Sequence, residues 1–318
     1  MKKRIDILCY GAPLVEIMRK RIDQPLDQVF DFIGPFPSGD TAIMIDEASK
    51  MGADAALVGV VGKDDFGACI LKRLESDGVN ISGIRVSPDH CTAVAFVSYQ
   101  DNGGRKFIFT VPDSAASKLG IEDVSIDDLQ RTRWLHISGF PLCLSQSARE
   151  AVDFALDHIP EQTQVSFDPN LRFDISKNPE LLKLVEKIMH RCNYFLPSET
   201  EAAYLTGMQT DEEGCQYLAG QGKIVVQKRG KAGCIVYTPQ ERITVPSYKT
   251  QELDPTGAGD TFCGALLAEL CHGSSALEAA RIANAAGALA VRKKGPMEGT
   301  ATREEVLSFM KKSEKEVQ

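Results

Sequence analysis

No stretch of this 318-residue chain approaches the roughly 18 consecutive apolar residues that a membrane-spanning helix needs. Behind the basic start Lys2-Lys3-Arg4 stands only Ile5-Asp6-Ile7-Leu8-Cys9, too short and too charged for the core of a signal peptide, so a cytoplasmic location is expected. The nine cysteines are odd in number and form no C-x-x-C pair, which disfavours both a zinc cluster and a disulfide framework. Cys143, Cys234 and Cys263 lie in apolar stretches and read as small buried hydrophobes. Positive charge is also short, 36 Lys and Arg against 44 Asp and Glu, and a net charge of −8 argues against nucleic acid or an anionic membrane as the main partner. The basic clusters Lys2–Arg4, Arg19–Arg21 and Arg292–Lys294 read as solvated surface. There is no internal repeat, low-complexity segment or Pro/Ser linker. Length alone would allow one large domain or two small ones, and a single domain over residues 1–318 is expected.

What is present is the composition of an ordinary globular enzyme, ordered as short β-branched runs between helical stretches. Ile5–Cys9, Ala55–Val61, Trp134–Ser138, Gln164–Asp168, Tyr194–Leu196, Ile224–Gln227 and Cys234–Tyr237 are mostly continuous apolar runs, as strands buried on both faces require. Asp65–Asp77, Gln146–His158 and Pro179–Arg191 supply helical crossovers. The expected fold is therefore an α/β three-layer sandwich around a mainly parallel sheet. Residues 15–36 and 92–111 break the alternation. In the second of these, two strand-like runs flank Asp101-Asn102-Gly103-Gly104, a hairpin turn, and together the two segments are expected to form a small β lid.

The most informative string is Asp254-Pro255-Thr256-Gly257-Ala258-Gly259-Asp260-Thr261-Phe262. Phe262, Leu266, Leu267 and Leu270 recur at helical spacing, so a helix begins near the glycines. Small residues ahead of it leave the first N–H groups bare at the positive end of the helix dipole, a ready anion hole. Asp260 stands beside that hole, placed to accept a proton from an attacking hydroxyl while the N–H groups absorb charge on a transferred phosphoryl group.

Asp254–Leu270 resembles the C-terminal signature of the ribokinase (PfkB) family of carbohydrate kinases. Gly11–Glu16, Val58–Gly67, Phe167–Arg172, Pro197–Glu201 and Ile282–Ala288 resemble further family segments in the family's order, across almost the whole chain. Phe167-Asp168-Pro169-Asn170-Leu171-Arg172 is similar to a strand end common among fructokinase-like and ketodeoxygluconate-kinase-like members.

The resemblance implies a ribokinase-like fold and an ATP-dependent kinase acting on a hydroxymethyl group of a small sugar. A fructose-like ketose comes first, with ketodeoxygluconate, ribose or a nucleoside as alternatives. It implies Asp260 as catalytic base, with the amides of Gly257, Ala258 and Gly259 as the anion hole. Lys228, Gly230, Thr256 and Asn284 would hold ATP, and Glu201 would hold Mg2+ through water. Asp254 resembles a position that ligates a monovalent cation, K+, in some members. Glu16, Gly39, Asp40 and Arg172 are the implied acceptor residues. Lids pair between subunits in related kinases, so a homodimer through the lid is the implied assembly. Read alone, Glu201 is an exposed helix acid, Asp254 a solvated loop acid, Glu16 an edge acid, Asp40 an N-cap and Arg172 half of a surface salt bridge.

Two departures bear on the acceptor. Ser38-Gly39-Asp40-Thr41-Ala42-Ile43 carries Ser38 where the family has a glycine and apolar Ile43 where it has an asparagine. Ile108, Phe109 and Thr110 stand where ketodeoxygluconate kinases carry tyrosine and arginine, leaving Arg172 as the cation for a carboxylate. A neutral acceptor is therefore expected. An inactive nucleotide or sugar sensor on the same fold is the non-enzyme alternative. A dinucleotide-dependent oxidoreductase would need Gly-x-Gly-x-x-Gly after the first strand, where this chain has Gly11-Ala12-Pro13.

Overall fold

The structure is a computed structural model that describes residues 3–101, 103–170 and 178–316. Its strands are β1 (Ile5–Tyr10), β2 (Leu14–Arg19), β3 (Phe32–Ser38), β4 (Ala55–Gly62), β5 (Asn80–Ser87), β6 (Ala93–Tyr99), β7 (Arg105–Phe109), β8 (Thr132–Ser138), β9 (Gln164–Asp168), β10 (Tyr194–Phe195), β11 (Ile224–Lys228), β12 (Cys234–Tyr237) and β13 (Arg242–Val245). The helices are α1 (Asp40–Lys50), α2 (Asp65–Ser76), α3 (Ile126–Arg131), α4 (Gly139–Leu142), α5 (Gln146–His158), α6 (Pro179–Arg191), α7 (Glu201–Thr206), α8 (Asp211–Gly220), α9 (Ala258–Cys271), α10 (Ala276–Ala290) and α11 (Arg303–Glu316).

Nine strands form one sheet in the order β13-β12-β11-β10-β9-β8-β1-β4-β5. It is parallel except where β12 and β13 join antiparallel. The continuous apolar runs have the expected cause, since all eight residues of β4 are buried. Successive residues of β1 alternate between two cores. Ile7 and Cys9 join the layer of α1, α2, α9 and α10, while Leu8 and Tyr10 join that of α5, α6 and α8. At Gly264 a Cβ would strike the carbonyl of Met44, so the glycine is what lets α9 lie close against α1.

The segments that broke the alternation form a separate four-stranded sheet, β3-β2-β6-β7. Within it β2 and β6 run parallel and the outer pairs antiparallel. Arg19 corrects the solvated reading of its basic cluster. It is 1% exposed, donates to the carbonyls of Pro25, Gln28 and Phe30, and lies 3.9 Å from the ring centroid of Phe32. A guanidinium whose two terminal nitrogens donate to three backbone carbonyls organises the β2–β3 connection from within. Cys143 is half-buried, and the cysteines are free. Among the described residues no helix is long and apolar enough to cross a membrane.

Candidate active site

The carboxyl ends of β8, β9 and β11 deliver Ser138, Asp168 and Lys228 to one edge of the parallel sheet, where ligands of open α/β folds bind. The turn after β10 adds Ser198 and Glu201. A cavity of about 600 Å³ opens there, lined by Asp168, Glu201, Lys228, Gly257, Gly259 and Asp260 among others. Beside it a smaller cavity of about 70 Å³ is lined by Glu16, Gly39, Asp40, Ile43, Phe107 and Phe109 among others. Asp260 lines both.

Helix α9 explains the site's polarity. Gly257 is its N-cap at φ 78°, and a Cβ there would meet the carbonyl of Pro296 and the side chain of Ile43. Only glycine takes that turn without strain. Among the described residues the amides of Gly257 and Gly259 have no hydrogen-bond acceptor, whereas Ala258 N donates to Pro255 O at 3.4 Å. Free donors at a dipole's positive end, beside an acid in the first turn, suit a phosphate with its transferable group turned toward Asp260.

Lys228 lies below this helix start and donates to Asp168 Oδ2; the two side chains are 10% and 5% exposed. Burial, the largest single effect, pushes the lysine's pKa down, but its polar neighbours, Asp168 first and Glu201 among them, together outweigh it and hold the ammonium above its ordinary range. Asp168 Oδ1 is buried with no partner among the described residues. Cys263 Sγ lies 3.3 Å from Asp168 Oδ2, and burial pushes its thiol up, so it is no thiolate nucleophile.

In the smaller cavity Asp40 is the first residue of α1 and Gly39 is its cap, which replaces the N-cap reading of Asp40. Asp40 Oδ2 accepts from Ser138 Oγ and from Asn170 Nδ2, and Oδ1 accepts from Thr41 N at 2.7 Å. Glu16 is 2% exposed, and Ser38 Oγ donates to it at 3.4 Å. The substituted Ser38 thus carries a hydroxyl that orients an acid, while Ile43 gives the cavity apolar wall.

Glu201 is buried, not exposed, and its Oε2 accepts from Ser198 N at 2.7 Å. Asp254 is 1% exposed and accepts from Thr256 N, Tyr99 Oη and Gly295 N, which corrects the solvated-acid reading. Its carboxylate ties together three segments of chain. Thr256 lies in the smaller cavity's wall and meets Tyr99 Oη at 2.7 Å. Gly230 opens a short turn after β11 and lines neither cavity. Asn284 is also outside both: its amide donates to the carbonyls of Val245 and Pro246, fastening α10 to the end of β13. Arg172 lies outside the described residues.

The expectation that the hairpin brings no cation to the acceptor needs correction. Arg105 lines both cavities, and Phe107 and Phe109 line the smaller one, whereas Ile108 and Thr110 are exposed and line neither. Strand alternation carries the signal that would have found it: two steps back from Phe107 is Arg105. Asn170, on both cavity walls and bonded to Asp40, is a second residue missed.

A nine-stranded α/β sandwich with a small second sheet beside the site is the architecture of ribokinase-like sugar kinases. The chain is similar to an *E. coli* protein provisionally described as ribokinase II and solved with ATP and Mg2+, at TM-score 0.93 and 37% identity over 97% of this chain and 99% of that one. A fructokinase from *Vibrio cholerae* O395, solved with fructose, ADP and calcium, matches at TM-score 0.83 and 29% identity over 96% and 99%. Fructokinase-1 of *Oryza sativa* subsp. *japonica* is 31% identical over 96% of this chain and 97% of its own length. The family description "pfkB family carbohydrate kinase" matches residues 33–303, and the chain belongs to that family.

Proposed function

We propose that the protein transfers the γ-phosphoryl group of ATP to a hydroxymethyl group of a neutral, fructose-like sugar. The observation that carries this reading is Asp260, on the wall between a large cavity with free helix-start amides and a small one with polar side chains. The sugar hydroxyl attacks phosphorus as its proton passes to Asp260, and the bond to the bridging oxygen of ADP breaks. The Gly257 and Gly259 amides stabilise the charge that develops, a contribution typically worth about two to three orders of magnitude per donor. Mg2+, bound with the nucleotide, supplies charge neutralisation on the phosphates; the buried carboxylate of Glu201 would hold it through water, and the orphaned oxygen of Asp168 suits the same task. Asp254, with three donors already in place, serves the loop first and a monovalent cation such as K+ second.

The neutral acceptor is favoured by charge. Glu16, Asp40 and Asp260 all face the smaller cavity, where a sugar carboxylate would meet three acids. Fructokinases similar along nearly the full length support the same choice. Arg105 is the observation that favours an acidic acceptor such as ketodeoxygluconate as second reading. Specificity constants for the two sugars under identical ATP and magnesium decide between them. Fructose is expected to win, and a clear preference for the acid would reverse the assignment.

The small sheet serves as a lid over the acceptor, and its exposed Phe32 and Ile108 suit pairing with a second copy of the chain.

A further inference from the structure

We propose that Arg105 is a catalytic residue that grips the phosphoryl group in transit, an inference that rests on the kinase reading above. Among the described residues four line both cavities: Arg105, Asn170, Gly257 and Asp260. A group passing from the large cavity to the small one passes between them. Gly257 offers an amide and Asp260 the proton acceptor, and among the described residues Arg105 is the cation of the set. Among the described residues it forms no ion pair.

Its placement is fixed by the hairpin. Tyr99 and Arg105 stand opposite each other on β6 and β7. The Tyr99 phenol donates to Asp254 Oδ1 at 2.8 Å and meets Thr256 Oγ1 at 2.7 Å, while Arg105 Nη1 donates to the same Thr256 hydroxyl at 3.4 Å. Both ends of this cross-strand pair therefore dock on the residue just before Gly257. That holds the guanidinium at the junction of the two cavities, beside the residue that precedes the anion hole, while the rest of the acceptor side is walled by Phe107, Phe109 and three carboxylates.

Phosphoryl transfer spreads negative charge over three equatorial oxygens, and a planar guanidinium with paired donors matches two of them. Arg105 gives charge and hydrogen bonds only. The oxygen–phosphorus bond to the sugar forms, the one to ADP breaks, and the proton goes to Asp260.

The test compares wild type with Arg105→Gln and Arg105→Lys by titration calorimetry with ADP and magnesium, with and without aluminium fluoride, alongside turnover on fructose. ADP affinity is expected to stay within about threefold in all three proteins, with unchanged melting temperatures. In Arg105→Gln the extra tightness conferred by aluminium fluoride falls about tenfold or more and kcat falls about 100-fold or more, as for loss of a transition-state donor. Arg105→Lys restores only part of each, because a point charge cannot replace the fork. Wild-type tightening and kcat in Arg105→Gln overturn the proposal. So does a rise confined to KM for ketodeoxygluconate, which would place the guanidinium on an acceptor carboxylate. Wild type that binds no ADP with magnesium contradicts the kinase reading itself, and the proposal falls with it.

Discussion

Lys228 and Asp168 form an ion pair at the floor of the large cavity, reaching across from the ends of β11 and β9. Removing one partner leaves the other charge buried. Lys228→Met is expected to lower the unfolding free energy by about 3–5 kcal/mol. The double variant Lys228→Met with Asp168→Asn is expected to recover most of the loss, because no uncompensated charge remains. Urea denaturation of both measures it; a single variant as stable as wild type would show that the pair does not brace the sheet.

A second acid beneath the site governs stability through pH. Glu47 on α1 is fully buried and accepts from Ala301 N at 2.8 Å, tying the helix that carries Asp40 to the loop after α10. Burial pushes its pKa up to about 8, the Ala301 amide opposes this, and neighbouring Asp46 adds to it. Lys50, Glu305 and the Asp46–Arg73 pair are the other charges at this spot. The folded protein keeps a proton that the unfolded chain has released, so this contribution is complete below the unfolded value near 4.5 and is lost as pH rises to about 8. Between those values stability is expected to fall by up to roughly 1.4 kcal/mol per pH unit from this group. Glu47→Gln is expected to flatten the decline in denaturation series between pH 5 and 9. An unchanged slope would mean that Glu47 is ionised in the fold.

Much of this was legible in the sequence for identifiable physical reasons. Unbroken apolar runs such as Ala55–Val61 can sit only in a sheet covered on both faces, and β4 is buried throughout. The start of α9 announced itself because a glycine turn followed by helical apolar spacing has few other outcomes. Side-chain partnerships across long sequence separations were hidden. Arg19 reads as surface until three carbonyls of its own loop close over it. Asn284 reads as a ligand contact, and nothing in the sequence shows that its amide also fastens onto the carbonyls of Val245 and Pro246. Arg105 is hidden behind the consecutive run Ile108-Phe109-Thr110, because a strand offers only alternate residues to a site, and Phe109, Phe107 and Arg105 are the alternating set.

The lid reading makes a dynamic prediction. Amides of β2, β3, β6 and β7 are expected to gain protection in hydrogen exchange when fructose and ADP bind together, because ligands held beneath the small sheet would favour the docked arrangement in which Tyr99 meets Thr256. Equal exchange with and without the ligands would make the small sheet a fixed wall.

Exposed apolar residues of the same sheet bear on assembly. Phe32 is 42% and Ile108 49% exposed. Light scattering is expected to give a dimer for wild type and a shift toward monomer for Ile108→Glu, since a charge buried in such a contact lacks a partner. A wild-type monomer across micromolar concentrations would contradict pairing through this face.

The most direct test of the whole account is turnover by Asp260→Asn with fructose, ATP and magnesium. The amide keeps the shape of the acid but cannot accept the attacking hydroxyl's proton. Wild type is expected to form ADP and a sugar phosphate, while the variant binds ATP with wild-type affinity and turns over slower by about three orders of magnitude or more. Asp260→Asn within about tenfold of wild type would contradict the assignment of the base.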